Sequence, residues 1–267
     1  MIPTGWSARD GLRLAIHDAG GAGAPFLFQH GLCGDARQTA EAYPRTDAWR
    51  RITLECRGHG ASEIGARKLD FEVMTDDLAA ATEGVEAPFV AGGISMGAAL
   101  ALRLALARPE RVRALVLVRP AWGPGRAGAN LAPNVEVGEL LARLPAADAR
   151  AAFAKSATAR RLEATSPDNL ASLSGFFDRK PQDDTARLLR EMGSADLGAT
   201  AADLARLRAP ALVCGSRDDE IHPLGLAREL AAAIPGAHFV ELPPKGSGRT
   251  AHMDALRAAI AAFLGEI

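Results

Sequence analysis

Residues 89–106 read FVAGGISMGAALALRLAL. A short apolar run, Phe89–Ala91, meets Gly93-Ile94-Ser95-Met96-Gly97 and then a series of strong helix formers, Ala98–Ala107. Strand, G-x-S-x-G and helix in that order describe a nucleophile elbow, a sharp turn that pushes the serine hydroxyl outward. Glycine on either side lets neighbouring backbones pass closely. The helix beginning at Met96 turns its free N–H groups toward the serine, where they can stabilise charge developing on a bound oxygen. A bland Gly-rich turn is the competing reading, but it leaves the flanking strand and helix without a reason. Ser95 is therefore the candidate nucleophile.

Working outward, short runs rich in β-branched residues or Phe alternate with longer segments of helical period. That is the pattern of βαβ units around a mostly parallel sheet. Strands are expected at Leu12–His17, Phe26–Gln29, Arg51–Glu55, Phe89–Ala91, Ala114–Val118, Ala211–Cys214 and His238–Leu242, with helices at Phe71–Val85, Met96–Ala107, Leu224–Ile234 and Asp254–Leu264. Between Trp122 and Leu207 the strand pattern stops. Amphipathic Ala-rich segments follow instead, at Glu136–Leu144, Ala147–Glu163, Asp168–Phe177 and Thr185–Met192. The expected organisation is an α/β core of residues 1–121 and 208–267, with residues 122–207 a helical lid over the carboxyl ends of the strands, where open α/β sheets bind ligands. In the segment SPDNLASLSGFFDR, Ser166 or Asp168 would cap a helix whose Leu170, Leu173, Phe176 and Phe177 form an apolar face.

The chain has 267 residues, 48% of them hydrophobic, enough to bury one large core with a modest insertion. Thirty-one Lys+Arg against 32 Asp+Glu leave a net charge of -1, and no basic run tracks a phosphate backbone, which argues against nucleic acid. Cys33, Cys56 and Cys214 are an odd count without C-x-x-C spacing, as expected of a reduced, cytoplasmic protein. Charges at Arg9 and Asp10 interrupt the N-terminus, and no apolar stretch is long enough to read as a membrane span. No His/Cys/Asp/Glu cluster has metal-ligand spacing, so neither metal nor cofactor is expected. A small-molecule substrate is expected, and a homodimer is left open.

A second motif, PFLFQHGLCGD, carries a buried-looking strand into His30-Gly31, and a third, ITLECRGHGAS, contains Arg57-Gly58-His59-Gly60-Ala61-Ser62. With the elbow, these make the chain resemble the α/β-hydrolase fold family, whose members carry a strand, H-G and an oxyanion-hole residue, then R-G-x-G-x-S after another strand. Glu55 stands where that family commonly has Asp. The resemblance implies an oxyanion hole made by the backbone N–H groups of Leu32 and Met96. It also implies that His30, His59 and Arg57 support loop geometry. The likeness covers nearly the whole chain outside the insertion.

In this fold the chain order is Ser, acid, His. After Ala211–Cys214 comes GSRDDEIHP, where spacing from Gly215 picks Asp218 and spacing from Pro223 picks Asp219. Asp219 is preferred because the proline starts the next helix and fixes the segment before it; Asp218 is the alternative. RPAWGPGR, after Ala114–Val118, offers no acid. For the base, the family has a G-H pair after the last strand. Counting back from Phe263, that place falls on Gly246, and Ser247 follows it. His252 is the one histidine beyond the last strand, and Gly246, Ser247 and Gly248 form a loop soft enough to carry it back toward Ser95. The expectation is a relocated base at His252. The alternatives are a capping or surface histidine there, or His222, beside the acids, acting instead.

Arg119, Trp122 and Arg126 leave the sheet together, and Arg119 with Trp122 could hold a carboxylate or aromatic ring of a substrate. The competing reading pairs Arg119 with Glu136 or Glu139. The leading expectation is a serine hydrolase acting on an ester, lactone, thioester or activated C–C bond of a small organic acid or aromatic metabolite through Ser95, Asp219 and His252. The alternative is a non-hydrolytic member of the fold that binds a small ligand, or guides a cyclisation or elimination, without a full triad.

Overall fold

The computed structural model describes the chain apart from Arg45, Arg126 and Ala127; the Ser247 side chain also lies outside the described part. The expectation for Arg126 therefore falls outside the described residues. Eight strands form one sheet: β1 (Gly5–Arg9), β2 (Leu12–Asp18), β3 (Ala24–Gln29), β4 (Trp49–Leu54), β5 (Phe89–Ile94), β6 (Val112–Val118), β7 (Ala211–Ser216) and β8 (His238–Leu242). Their order across the sheet is β1-β2-β4-β3-β5-β6-β7-β8. β1, β2 and β4 pair antiparallel, and every other pairing is parallel. This is the α/β-hydrolase architecture expected from the sequence.

Central strands are apolar along their length because both sheet faces are covered. Along β5 and β6 the side chains alternate between two cores. Phe89, Ala91, Leu115 and Leu117 face one, and Val90, Ala114, Val116 and Val118 the other. The first core is closed by α2 (Phe71–Ala81) and α3 (Met96–Ala107), the second by Leu256, Ile260 and Phe263 of the last helix, α11 (Arg249–Gly265). α3 is buried on nearly every side, which suits a helix of Ala and Leu.

Between β6 and β7 the chain forms α4 (Ala132–Arg143), α5 (Ala146–Ala154), α6 (Ala157–Thr165), α7 (Pro167–Gly175), α8 (Gln182–Gly193) and the short α9 (Ala201–Leu204). Val137 and Leu141 of α4 are buried with Leu188 and Leu189 of α8 in one continuous core with the sheet. Leu173 and Phe177 are buried, while Leu170 and Phe176 are half-buried against that core. α1 (Ala36–Ala42) and α10 (Leu224–Ala233) complete the elements. No helix among the described residues is long and apolar enough to cross a membrane.

Candidate active site

The elbow is built by close approach. A Cβ added at Gly97 would lie 2.3 Å from the Gln29 carbonyl oxygen, and one at Gly93 would lie 2.4 Å from the Gly97 carbonyl carbon, so backbone occupies the space any side chain would need. Between them Ser95 adopts φ 56°, ψ -111°, a sparsely populated conformation for a residue with a side chain. Its N–H donates to Val118 O of β6 (2.9 Å), which anchors the turn to the sheet. Ser95 is 9% exposed at the floor of a cavity of about 450 Å³.

β6 and β7 bring up the partners. Arg119 follows β6 with φ 46°, its N–H held by Cys214 O of β7 (2.7 Å), and the loop after β7 carries Asp219 and His222. His222 Nε2 lies 2.9 Å from Ser95 Oγ, and His222 Nδ1 lies 2.8 Å from Asp219 Oδ1. Asp219 Oδ2 accepts from Arg119 Nε (2.8 Å) and faces its terminal nitrogen at 2.6 Å. Asp219 Oδ1 also accepts from Asn169 Nδ2 (3.0 Å) and from the His222 N–H (3.1 Å). Among the described residues every hydrogen bond to this carboxylate comes from a donor.

The inserted helices hold the loop in place. Asn169 Oδ1 accepts from the Ile221 N–H (3.1 Å), Ser166 Oγ accepts from the Glu220 N–H (3.3 Å), and Asn130 Nδ2 donates to Ile221 O (2.8 Å) and Ala121 O (3.0 Å). Asn130 and Asn169 carry no signal in the sequence and Ser166 reads there only as a helix cap, since the role of all three exists only once the insertion sits against the β7 loop.

The histidine that meets Ser95 is not the one expected. The structure brings His222, not His252, to Ser95. α11 begins at Arg249 instead of Asp254, and residues 245–247 form a 3₁₀ turn leading straight into it, so no loop folds back. His252 lines the same cavity and is 1% exposed, but its Nδ1 donates to Pro243 O (2.8 Å), and among the described residues it has no hydrogen bond to Ser95 or Asp219. Of the two acid candidates, Asp219 is buried, whereas Asp218 is exposed and at φ 58° turns the chain so that Asp219 points inward.

Arg119 departs from the reading that pairs it with Glu136 or Glu139. It lines the cavity, but its guanidinium is engaged by Asp219, not by Glu136 or Glu139. Glu136 accepts from Thr158 Oγ1 (2.5 Å), and Glu139 pairs with Arg190 (2.9 Å). Trp122 does line the cavity, packed edge-on against Phe71 with ring centroids 5.2 Å apart.

Leu32 follows β3 at the cavity wall, and no hydrogen bond occupies its N–H or that of Met96 among the described residues. A Cβ on Gly31 would sit 3.4 Å from Ser95 Cβ, which shows how closely the His30-Gly31 turn lies against the elbow. His30 is fully buried; its Nδ1 donates to Gly31 O (2.9 Å) and its Nε2 accepts from the Cys56 N–H (3.1 Å). His59 accepts from the Cys33 N–H (2.9 Å), and Arg57 is buried on Asp77 (2.6 Å) and Asp10 (2.7 Å). All three hold loop geometry. Among the described residues no group of three His, Cys, Asp or Glu side chains is placed to hold a metal ion.

Burial alone would raise the Asp219 pKa, but the charges of His222 and Arg119, with hydrogen bonds from His222 and Asn169, overcome it and hold the carboxyl well below the usual carboxylate range. Burial depresses the His222 pKa, Asp219 opposes this, and Arg119 adds to it. Burial, with Arg119 and more distantly Lys245, thus outweighs Asp219 and leaves the imidazole below its ordinary value of 6.5. An imidazole must be neutral to accept a proton, so a depressed pKa extends the active range toward acid. The acid limb of kcat/KM is expected below pH 6.5, and Arg119→Gln, by removing a cation, is expected to move that limb to higher pH. A pH profile of both proteins checks the sign.

The sheet order and the convergence of β5, β6 and β7 on one cavity define the α/β-hydrolase fold. The chain belongs to the alpha/beta hydrolase family, whose model matches residues 14–263. It is 30% identical over 240 residues to the "Putative non-heme bromoperoxidase BpoC" of Mycobacterium tuberculosis, covering 86% of this chain and 89% of that one. It is 29% identical over 247 residues to the "Putative carbamate hydrolase RutD" of Klebsiella pneumoniae, covering 87% and 88%. Among solved structures, a thermophilic esterase from Thermogutta terrifontis superposes with a TM-score of 0.74 at 23% identity, covering 98% of this chain and 96% of that one; at that identity the likeness speaks for the fold.

Proposed function

We propose that the protein is a serine hydrolase with Ser95 as nucleophile, His222 as general base and acid, and Asp219 as the carboxylate that orients the imidazole. The observation that carries this reading is the unbroken line Ser95 Oγ, His222 Nε2, His222 Nδ1, Asp219 Oδ1, with contacts of 2.9 Å and 2.8 Å. The short, charge-assisted contact to Asp219 favours the tautomer with hydrogen on Nδ1 over one in which Nδ1 accepts from Arg119 at 3.1 Å. Nε2 is then free to take the serine proton.

In the first half-reaction Ser95 Oγ attacks the substrate carbonyl carbon while its proton passes to Nε2. The oxyanion settles against the Leu32 and Met96 N–H groups, and the imidazolium is stabilised by Asp219. Nε2–H then protonates the leaving group, and the carbon–leaving-group bond breaks. Water, deprotonated by the same nitrogen, hydrolyses the acyl-serine and restores the enzyme. Residues 122–207 act as a lid on the core of residues 1–121 and 208–267, since Leu131, Asn169 and Phe176 from it share the cavity with Ser95. A cavity of about 450 Å³ suits a small ester, lactone, thioester or activated C–C bond compound.

A fluorophosphonate probe should add one adduct to Ser95, located by peptide mapping, and p-nitrophenyl butyrate should release a burst of p-nitrophenol. No adduct under conditions that label an ordinary esterase, together with no burst, would overturn the hydrolase reading in favour of a non-hydrolytic binding protein.

A further inference from the structure

Among the described residues four cationic side chains line the cavity: Arg119, Arg179, Lys245 and Arg249. Three of them face carboxylates. Arg119 pairs with Asp219 (2.6 Å), Lys245 with Asp168 (2.5 Å), and Arg249 with Glu41 (2.6 Å). Arg179 does not. It follows the 3₁₀ turn Phe176–Asp178, is half-buried, and among the described residues has no carboxylate partner. Its terminal nitrogens make long contacts to neutral oxygens, 3.3 Å to Gly58 O and 3.4 Å to Thr185 Oγ1, and the guanidinium also faces the neutral thiol of Cys33. A guanidinium carries five N–H groups, and none of those on Arg179 meets an anion among the described residues, so its charge is unpaired beside a site already arranged for chemistry. Glu41 is the cavity's one lining carboxylate among the described residues, and Arg249 engages it.

A second observation points the same way. Trp122 and Asn134 are 2% and 5% exposed and both line the cavity, yet the Trp122 indole nitrogen and the Asn134 side-chain oxygen have no hydrogen-bond partner among the described residues. Buried polar groups left without partners are costly unless something that binds there satisfies them. A purely apolar acyl group would leave all three unsatisfied.

We propose that the substrate of this site carries a free carboxylate in addition to the bond that is cleaved, and that Arg179 is the residue that binds it. The substrate class is a half-ester or lactone of a small dicarboxylic or keto acid, with Trp122 and Asn134 meeting its remaining oxygens. Arg suits the role because its planar fork matches a carboxylate with two parallel hydrogen bonds, which a lysine at the same place would not reproduce.

This inference rests on the hydrolase reading for its turnover test but has a binding test of its own. Mono-p-nitrophenyl succinate and p-nitrophenyl butyrate differ essentially by carboxylate against methyl at the acyl end. The wild-type protein should favour the succinate by about tenfold or more in kcat/KM, the scale of a hydrogen-bonded charge pair. Arg179→Gln should collapse that ratio toward one through KM, and Arg179→Lys should restore part of it. A wild-type ratio of one or below, or a ratio unchanged in Arg179→Gln, would overturn the proposal. Calorimetric binding of monomethyl succinate to Ser95→Ala needs no turnover. Binding there that is lost in Ser95→Ala/Arg179→Gln supports the carboxylate site even if neither ester is hydrolysed, and absence of binding sinks it even if the butyrate is cleaved.

Discussion

Alanine at His222 is expected to lower kcat for an activated ester by about three orders of magnitude or more, and alanine at His252 by less than about tenfold. Removing one member of a serine triad leaves mainly the contribution of the oxyanion hole and binding, hence the first magnitude. The second follows from bonding. The His252 ring gives its Nδ1 proton to Pro243 O and makes no hydrogen bond to Ser95 or Asp219 among the described residues, so its loss removes packing at the cavity wall and a tie to the segment before α11. Circular dichroism and a melting curve separate the cases in which folding fails. The His222 ring can go without leaving Asp219 bare, since Arg119 and Asn169 still donate to it. The reverse ranking, with His252→Ala the slow enzyme, would mean that the loop between β8 and α11 rearranges during turnover and that the contact seen at His222 is a resting state.

That ranking turns on what the sequence could and could not show. β3, β5, β6 and β7 were legible because burial on both faces demands continuous apolar runs, and the elbow because only glycine fits its two approaches. β1 was not: Gly-Trp-Ser-Ala-Arg lies at the sheet edge, half exposed, with Trp6 44% exposed, so it has no apolar run to find. The segment Ala147–Glu163 reads as one amphipathic pattern, but Ser156 accepts from the Ala159 N–H (3.0 Å) and caps a new helix, which divides it into α5 and α6. A cap inside an Ala-rich run is a stronger break than periodicity reveals.

At the site, Ser95 and Asp219 were readable from local landmarks, the elbow glycines and Pro223. His222 was visible only as a neighbour of the acids. Whether a histidine three residues past an aspartate points the same way depends on the backbone between them, and here that backbone is set by Asp218 in the left-handed region and by Asn169, Ser166 and Asn130 from the insertion. None of these can be inferred from GSRDDEIHP. His252 attracted the assignment because it stands near the place where related sequences keep their histidine. Whether helix or loop holds that place was decided by the N-terminal extension of α11, five residues beyond the apolar pattern that marked it, from Asp254 back to Arg249.

The second large effect is expected from Asp219→Asn, a change of one oxygen to NH₂ with almost no change in volume: a fall in kcat of about 10³–10⁴ with Ser95 and His222 both intact. Among the described residues all five contacts to Asp219 come from donors, two from Arg119 to Oδ2 and three, from Asn169, the His222 N–H and His222 Nδ1, to Oδ1. An asparagine must aim its NH₂ at one of these sets. Both sets contain N–H donors, but Arg119 is the charged one and lies closer than Asn169 and the His222 backbone N–H, so the amide oxygen turns to it and the NH₂ faces the imidazole. The ring then relaxes by moving its proton from Nδ1 to Nε2, which places a hydrogen where Ser95 needs a lone pair. The negative charge that stabilised the imidazolium is gone as well, while Arg119, still charged, remains against His222 Nδ1 at 3.1 Å. Both changes lower the basicity of the ring at Ser95, so raising the pH should recover little of the rate. Fluorophosphonate labelling of Ser95 should slow in step with kcat, because both need the same proton transfer. Adding Arg119→Gln should recover part of the loss, since a neutral amide at 119 no longer forces the asparagine oxygen away from His222. If Asp219→Asn kept its rate within tenfold of wild type, the carboxylate would be a partner for Arg119 alone and His222 would be oriented by the loop backbone.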